Sequence, residues 1–476
     1  MFIKKLLVKN FRLFASDDEF VIDDINVPDS KSEGTGLTIF VGENGCGKTS
    51  ILDALTIPLL EYKKDGFSID DLNNPMEATR IDVLSSEDFD VSGTMPKGSF
   101  KSKGFRFLAN IRSRENGSFL SSMVVSDQQF IRADGNLKPL DGSPDLRIGV
   151  NNPFKGRRFD ENNIVVLDNN RTNQTHTGTY NQTKFDKLME DFNFQYVKSL
   201  KSTPDLTVDL DKVKTAVKND FLANAIKKFV EISGTKITLN LINNWKPFDK
   251  SFFAEKKDNS QQIPIDMLGS GYEMIFSLLY SFYLSQQSDK QLIVFVDEPE
   301  LHLHPSLQEA FVKVLLNFSK TAQIILTSHS PLFLKQLLYN ENVNVKILSK
   351  QNNKVTLIDI EEQILPFISA NEINYLAFGL PTEEHHNELY EEIKYLKGEE
   401  DKYKVFDQKY FITEKKEKKD SPWLGHPNEV SIHTFIRNQI HHQRSNGKPD
   451  QKQLLESIVK LRGFLKEINQ QNATSI

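Results

Sequence analysis

The stretch from Gly42 to Thr49 follows an apolar run and precedes an amphipathic one, and this order constrains the fold more than any other feature of the chain. Residues 37–41, Leu-Thr-Ile-Phe-Val, predict a buried strand, and residues 50–60 predict the start of a helix. Between them, Gly-Glu-Asn-Gly-Cys-Gly-Lys-Thr places glycines where a loop turns tightly and aims its N–H groups inward. The sequence therefore predicts an α/β fold built around a phosphate-binding loop.

The residue types of this loop also predict its ligands. Lys48 is expected to reach the β- and γ-phosphates of ATP, and the Thr49 hydroxyl to ligate Mg²⁺. The helix that follows would point its N-terminus at the phosphates. We expect the remaining contacts to ATP from the small and glycine residues of the loop, which are Gly42, Asn44, Gly45, Cys46, Gly47 and Ser50.

Two later apolar runs end in polar residues that suit the same site. Residues 292–296 predict a buried strand followed by Asp297 and Glu298, and residues 323–327 predict a strand followed by His329. We expect Asp297 to hold Mg²⁺, directly or through water, Glu298 to orient and deprotonate the attacking water, and His329 to contact the γ-phosphate. A surface turn with two solvated acids is the alternative, but it leaves the neighbouring histidine strand without a role.

A third segment, Leu-Gly-Ser-Gly-Tyr-Glu at residues 268–273, opens a long apolar helix. It resembles the signature motif of ABC-type ATPases, with Ser270 and Gly271 at its centre. The resemblance implies a head-to-tail dimer, in which the signature of one copy closes over the ATP of the other. Tyr272 departs from the commoner family residue. An ordinary turn before a helix is the other interpretation.

Three more segments narrow the resemblance: residues 2–12, Asp-Glu-Pro-Glu-Leu-His-Leu-His-Pro at 297–305, and Thr-Ser-His-Ser-Pro at 327–331. They resemble the RecF-like and OLD-like group, and within it the PtuA ATPases of Septu and retron-linked antiphage systems. The resemblance implies an ATPase head with a P-loop sheet flanked by helices, a mixed α/β insertion and a helical C-terminal region. It also implies a homodimer or higher oligomer, a separate HNH nuclease subunit, and nucleic acid or retron RNA–DNA as possible partners.

Composition sets limits on other functions. The net charge is −6, from 59 basic and 65 acidic residues, which argues against a uniformly basic nucleic-acid clamp. No stretch approaches the roughly 18 apolar residues that cross a bilayer, and the amino terminus lacks the apolar block of a secretory signal. We therefore expect a cytoplasmic protein with no membrane partner. The single cysteine, Cys46, is interpreted as a small loop residue, with a redox brake on ATP binding as the alternative.

Four regions are predicted along the chain. Residues 1–62 would form the first half of the ATPase core, 63–260 an insertion with β and helical parts, 261–350 the second half of the core, and 351–476 a helical partner-docking region. In the insertion, basic and aromatic residues alternate over 97–107, which favours a plain β-strand over a nucleic-acid-binding strand.

Other parts of the insertion carry weaker signals. Residues 162–168 predict a buried strand ending in an acid, followed by Arg171, and residues 184–229 a helical pattern. The sequence lacks sustained heptads, so we do not expect a long coiled coil. Gln128 and Gln129 are weak candidates for the glutamine that approaches Mg²⁺ in many ABC-type proteins.

The C-terminal region holds six of the ten histidines and a lysine-rich run, 415–419, which predicts a solvated linker. Its segment 436–442 contains Arg437, Asn438 and His442 at the spacing of the catalytic motif of HEPN ribonucleases, which it resembles. Arg437 and His441 share a helix face while His442 does not, so the helix must end or bend for all three to converge. A helix that packs polar residues is the favoured alternative.

These features support three competing hypotheses. The first is a signalling ATPase that controls a nuclease chain in antiphage defence. The second is a RecF-like ATPase of DNA repair. The third makes the chain itself a ribonuclease through Arg437 and His442.

Overall fold

The computed structural model divides the chain into two compact units, Met1–Thr356 and Leu357–Ile476. The structure describes residues 2–59, 69–94, 97–114, 117–126, 150–151, 162–167, 175–177, 180–182, 221–234, 237–239, 252–255, 262–264, 270–287, 291–338, 340–351, 354–358, 364–367, 369–423, 425–442, 444 and 447–474. The fold class is α/β, with a mainly helical second unit, as the sequence predicts.

The core of the first unit is a six-stranded sheet. Its pairings are parallel from β8 through β14, β15 and β3 to β16, and β17 completes the order beside β16. The strands are β3 (Leu37–Gly42), β8 (Asn162–Leu167), β14 (Gln291–Val296), β15 (Ala322–Ser328), β16 (Asn344–Gln351) and β17 (Lys354–Ile358). The central strands are buried apolar runs, as expected for a parallel sheet covered on both faces. The predicted strands at 37–41, 292–296 and 323–327 are confirmed.

The described residues of the first unit contain five helices. They are α1 (Lys48–Thr56), α2 (Phe221–Ser233), α3 (Ser270–Gln287), α4 (Pro305–Phe318) and α5 (Pro331–Leu337). Aromatic side chains join them: Phe229 of α2 packs edge-on against Phe276 of α3, and Phe282 of α3 stacks on Phe318 of α4 at 3.5 Å. Helix α1 begins two residues before the predicted start, because Lys48 and Thr49 already belong to it.

An antiparallel sheet adjoins the core in the order β2-β1-β4-β5-β6, with β7 paired to β4. Its strands are β1 (Ile3–Lys9), β2 (Phe20–Ile22), β4 (Thr79–Thr94), β5 (Lys97–Arg114), β6 (Gly117–Ser126) and β7 (Val150–Asn151). The strand interpretation of residues 97–107 is confirmed. Phe105 and Phe107 are buried, and Arg106 pairs with Asp82, so these side chains serve the sheet rather than a nucleic-acid surface.

One side chain ties the two sheets together. Gln323 of β15 is fully buried, and its amide accepts from the Ile3 N–H at 2.8 Å and donates to the Ile3 and Asn26 carbonyls at 2.6 and 2.7 Å. Because a buried amide needs all its hydrogen bonds, this contact fixes the first strand against the core sheet.

The predicted insertion, 63–260, contributes to both sheets. Strands β4, β5 and β6 join β1, and β8 pairs with β14. Short sheets are formed by β9 (Thr175–Thr177) with β10 (Tyr180–Gln182), and by β11 (Ile237–Leu239), β12 (Phe252–Glu255) and β13 (Gln262–Pro264). Gln128, Gln129, Arg171 and residues 184–220 lie outside the described residues. The four region boundaries stay predictions.

The second unit packs helices around one apolar core. Its elements are α6 (Ala370–Phe378), α7 (Glu383–Gly398), α8 (Tyr403–Phe406), a π-helical segment (Asp407–Glu414), β18 (Ser421–Trp423), β19 (His426–Val430), α9 (Ile432–His441) and α10 (Gln451–Thr474). On α10, buried residues recur at spacings of three and four, at Leu454, Ile458, Leu461, Leu465 and Ile468. They face the aromatic side chains of the preceding helices.

The predicted solvated linker at 415–419 is confirmed in part, because the segment lies outside the helices and strands and three of its five residues are exposed. Lys415 pairs with Glu467 at 2.5 Å, and Glu417 pairs with Lys460 at 2.7 Å, so both residues anchor the segment to α10. Lys416, Lys418 and Lys419 alone are exposed there.

Among the described residues, no helix has the length and apolar character needed to span a membrane.

Candidate nucleotide site

The glycine-rich loop joins β3 to α1 with the backbone that its sequence predicts. Gly42 and Gly47 have φ of 150° and 97°, and a Cβ on Gly42 would collide with the Leu348 carbonyl of β16. Lys48 is buried, and its Nζ donates to the Gly42 and Glu43 carbonyls at 2.8 and 3.0 Å, which holds the ammonium inside the loop. A glycine-rich loop, a lysine and a helix start together suit a triphosphate.

Thr49 and Asp297 meet at the carboxyl edge of the core sheet. Thr49 Oγ1 lies 3.1 Å from one oxygen of Asp297 and 3.3 Å from the other, although 248 residues separate them. A hydroxyl and a carboxylate at this spacing form an all-oxygen donor set, which Mg²⁺ prefers. These two residues therefore fit the predicted metal ion.

Thr327, the next-to-last residue of β15, ties both predicted acids to the sheet. Its hydroxyl lies 2.5 Å from Asp297 Oδ1 and accepts from the Glu298 N–H at 3.1 Å. Thr327 is fully buried, so this geometry is set by the sheet and not by solvent.

A second charged cluster flanks the metal position. Arg12 donates to Asp71 at 2.7 Å and also pairs with Asp53 of α1. Burial raises the pKa of Asp53, with the nearby charges of Asp297 and Asp71 acting in the same direction and Arg12 opposing them. The arrangement concentrates negative charge beside Thr49, where a divalent cation would be stabilised.

Glu298 leaves β14 in a left-handed conformation, with φ 45° and ψ 60°. A residue other than glycine adopts this backbone at a cost of roughly 1 kcal/mol or more. The turn brings its carboxylate within 3.2 Å of His329 Nδ1. The two residues predicted to act on water and phosphate are thus brought together from neighbouring strands.

Glu300 contacts the same histidine. Its Oε1 accepts from Ser328 Oγ at 2.8 Å and from the His329 N–H at 2.9 Å, and it lies 3.5 Å from His329 Nδ1. Both carboxylates thus lie near this ring nitrogen, which is buried and forms no hydrogen bond among the described residues.

Cys46 is 1% exposed beside Gly42, and burial raises the pKa of its thiol. Because the thiolate is the reactive form, this environment favours the interpretation of Cys46 as a small packing residue over a redox brake.

The predicted signature lies at the start of α3. Ser270 is the first residue of the helix, and Gly271 is buried. Tyr272 packs edge-on against Phe229 of α2 with ring centroids 6.1 Å apart, which gives the unusual residue at this position a structural role. Contact of Ser270 and Gly271 with the ATP of a second copy stays a prediction.

Comparison with known proteins assigns this site to a family. The family described as "AAA domain, putative AbiEii toxin, Type IV TA system" matches residues 37–335, which run from β3 to α5. The chain belongs to this family. Its AAA-type ATPase domain therefore includes the loop, both predicted acids, the signature and His329.

Curated relatives are distant. The OLD nuclease of Thermus scotoductus is 25% identical over 70% of this chain and 59% of its own length. Endonuclease GajA of Bacillus cereus (strain HuB5-5) is 20% identical over 77% of this chain and 63% of its own length. The chain thus spans about three fifths of these relatives. Similarity to the OLD-like group is confirmed, whereas the closer likeness to Septu and retron ATPases stays a prediction.

The Smc head domain in complex with the C-winged helix domain of ScpA covers 75% of this chain, with 16% identity and a TM-score of 0.45. The Smc head domain from Thermotoga maritima covers 76%, with 14% identity and a TM-score of 0.37. Both likenesses are too distant to define the fold, which is described above from the chain itself.

The C-terminal motif lies in the second unit on α9. Arg437 stacks 3.6 Å from the centroid of the Tyr403 ring, and its Nε lies 3.4 Å from Glu391. On the same face, His441 Nε2 lies 3.0 Å from Asn387 Nδ2, and burial with the charge of Arg437 lowers the pKa of His441.

The other two residues of the motif take different environments. Helix α9 ends at His441, so His442 is exposed in a non-helical conformation, with φ −133° and ψ 51°. Asn438 is buried. The structure therefore groups Arg437 with His441 of α9 and with two side chains of α7.

Sequence reasoning missed Thr327 and Glu300 as parts of the site. Thr327 is the polar end of an apolar strand, and Glu300 is the third acid in Asp-Glu-Pro-Glu. A polar residue at the carboxyl end of a parallel strand was an available signal for Thr327. For Glu300 the signal was only its closeness to Glu298.

Proposed function

We propose that this protein is an ABC-type ATPase that binds MgATP on the 42–49 loop and hydrolyses it. One observation carries the proposal: Thr49, Asp297, Glu298 and His329 come from three distant segments and meet at the carboxyl edge of the core sheet. Such an edge is where α/β folds bind ligands.

The residues divide the chemistry among them. Lys48 and the loop N–H groups hold the phosphates, and Thr49 and Asp297 hold Mg²⁺, which when bound supplies neutralising charge. Glu298 orients a water and takes its proton as the water oxygen bonds to the γ-phosphorus and the bond to the β–γ bridging oxygen breaks. His329 contributes a hydrogen bond to the γ-phosphate.

We further propose that two copies close head to tail. Ser270 and Gly271 of one copy would then contact the γ-phosphate bound by the other, through a hydroxyl and a helix N-terminus. A Glu298→Gln variant with ATP and Mg²⁺ is expected to accumulate as a dimer in sedimentation, and Ser270→Arg in the same background as a monomer. Equal sedimentation of both variants would count against this assembly.

ATP turnover tests the site directly. Lys48→Ala and Glu298→Gln are each expected to lower the rate of Mg²⁺-dependent phosphate release by about 10³-fold, since each removes a group used in the transition state. Lys335→Ala, an exposed lysine of α5, is the matched control and should behave like the parent. Hydrolysis at the parental rate by both site variants would show that the site is assigned incorrectly.

The biological role we propose is control of a nuclease in cytoplasmic antiphage defence. Two relatives bear the names OLD nuclease and Endonuclease GajA, which supports a link between this ATPase domain and nucleic-acid cleavage. We propose a separate HNH-type nuclease as the partner, as in Septu and retron-linked systems. The neighbouring gene and co-purification of its product test this: an unrelated neighbour and no nuclease in the complex would reject it.

A second candidate function is ribonuclease activity of the second unit. The placement of Arg437 beside His441 favours it, because the lowered pKa of His441 keeps its imidazole neutral and able to accept a proton. On this hypothesis the purified chain cleaves tRNA, and the Arg437→Ala/His442→Ala variant does not. His441→Ala would show which histidine acts, and His426→Ala is the exposed control. Cleavage that survives all of these changes would reject the candidate.

A further inference from the structure

Glu300 is a buried acid at the edge of the core sheet. It follows Pro299 in a short 3-10 turn, Pro299–His302, which directs its carboxylate back under the end of β15. Burying a carboxylate is costly unless it is hydrogen-bonded, so its partners indicate why it is there.

Those partners are two consecutive residues, Ser328 and His329, where β15 ends and the turn to α5 begins. Oε1 of Glu300 accepts from Ser328 Oγ at 2.8 Å and from the His329 N–H at 2.9 Å. Ser328 Oγ in turn accepts from the Ser330 N–H at 3.0 Å. Glu300 Oε1 therefore contacts the turn between β15 and α5 directly at Ser328 and His329, and through Ser328 it is linked to Ser330.

This turn decides where the imidazole of His329 lies. With its backbone held by Glu300, His329 points Nδ1 at Glu298 at 3.2 Å and at Glu300 at 3.5 Å. The opposite ring nitrogen, Nε2, is then the one left for a phosphate oxygen. The side chain is 32% exposed and is not confined by packing alone.

We propose that Glu300 is a positioning residue of ATP hydrolysis, which acts by holding residues 328–330 so that His329 faces Glu298. This inference rests on the proposed ATPase function. Glu300 touches neither phosphate nor water in this role. Its effect passes through the acceptor oxygen Oε1 rather than through its charge.

Two substitutions separate the role of the acceptor oxygen of Glu300 from the role of its charge. Glu300→Gln keeps a carbonyl oxygen in the place of Oε1, whereas Glu300→Met keeps the length of the side chain without an acceptor. The glutamine variant is expected to retain kcat within about threefold of the parent. The methionine variant is expected to lose roughly 10²-fold in kcat with KM within about threefold, because a small displacement of a catalytic group costs this much.

A double-mutant cycle tests the route of the effect. In a His329→Ala background, Glu300→Met is expected to change the remaining kcat by less than about twofold, because its target is absent. Ser328→Ala removes one of the two hydrogen bonds to Glu300 Oε1 together with the acceptor of the Ser330 N–H, and should lower kcat by a factor between about 3 and 10. Glu309→Met, on the exposed face of α4, is the control and should match the parent.

The outcomes are distinguishable from failure of the proposed function. Where the parent hydrolyses ATP and Glu298→Gln does not, parental kcat in Glu300→Met overturns this inference alone. An equal loss in Glu300→Gln and Glu300→Met also overturns it, as does a full loss from Glu300→Met in the His329→Ala background. A parent without ATPase activity overturns both proposals.

Discussion

The edge of the core sheet and the interior of the second unit both gather histidines and acids, but in opposite ways. His329 is 32% exposed, beside Glu298 and Glu300. His386 and His433 are fully buried, and they share one hydroxyl, with Ser457 Oγ 2.9 Å from His386 Nε2 and 2.7 Å from His433 Nδ1. A hydroxyl can accept from one imidazole and donate to the other, and burial lowers the pKa of both rings, which favours their neutral forms.

The acids differ in the same sense. Asp297 is held by Thr327 and faces the exposed Thr49. Asp407 in the second unit accepts from Ser431, through both its N–H and its hydroxyl, and from the Thr434 hydroxyl. Burial raises the pKa of Asp407. Protein donors thus surround Asp407 in the second unit, whereas Asp297 at the sheet edge lies beside the exposed Thr49.

The largest effect on stability is expected from a change that removes hydrogen bonds to the buried Asp407. Asp407→Asn should lower the free energy of unfolding of the second unit by about 3 kcal/mol, because an amide cannot replace a carboxylate that accepts several hydrogen bonds. Urea unfolding followed by Trp423 fluorescence in a Trp245→Phe background reports this unit, since the chain has two tryptophans.

Asp401→Asn makes the same change in a partly exposed acid that pairs with Lys409 at 2.9 Å. It should cost less than about 1 kcal/mol, as surface ion pairs do. ATP turnover should be parental in both variants. Similar losses of stability in Asp407→Asn and Asp401→Asn would show that burial among hydrogen-bond donors does not distinguish the two acids.

The next effect is on pH dependence. Burial, with the charge of neighbouring His385, lowers the pKa of His386 to about 3, and burial also lowers the pKa of His433, with His386 and Lys460 adding to it. The unfolded chain takes up these protons near pH 6.5. The contribution of these two histidines to stability is therefore constant above about pH 7 and falls below about 6.5, with His386 alone contributing a loss of about 2–3 kcal/mol by about pH 4.5.

The same Trp423 signal, recorded in urea at several pH values, checks this dependence. His386→Gln/His433→Gln should flatten the slope of stability against pH, whatever it does to stability at neutral pH. His426→Gln, in an exposed histidine of β19, should leave the slope unchanged. A parental slope in the double variant would show that other groups titrate.

The sequence predicted the elements of the nucleotide site better than the contacts between them. Strands β3, β14 and β15 follow from apolar runs, and the loop from its glycines, because burial and backbone freedom are properties of a local stretch. Thr327 and Glu300 could not be assigned this way. Their partners lie about 30 residues away, and a hydrogen bond of that range depends on the register of parallel strands.

The lysine-rich run at 415–419 shows the same limit in the second unit. Its charges favour solvent when they are taken alone, but Lys415 and Glu417 find partners 52 and 43 residues later on α10. Composition predicts where charge is, whereas tertiary packing decides whether it is paired.

The smallest expected effect is at Thr327, whose buried hydroxyl forms hydrogen bonds within the candidate nucleotide site. Thr327→Val removes the hydroxyl that joins Asp297 Oδ1 to the Glu298 N–H and keeps the volume of the buried side chain. Losing that contact should lower kcat for ATP hydrolysis about tenfold, or about 1.4 kcal/mol in the barrier, with little change in the unfolding of the second unit.

Thr327→Ser restores the hydroxyl and should recover most of the parental rate, which separates the hydrogen bond from the packing of the methyl group. If Thr327→Ser recovers the parental rate, a buried hydroxyl supports ATP turnover at the sheet edge. Buried hydroxyls in the second unit would then differ from it in supporting stability instead. If valine hydrolyses ATP as fast as the parent, the acids are positioned by the backbone of β14 alone, and the left-handed turn at Glu298 carries that role.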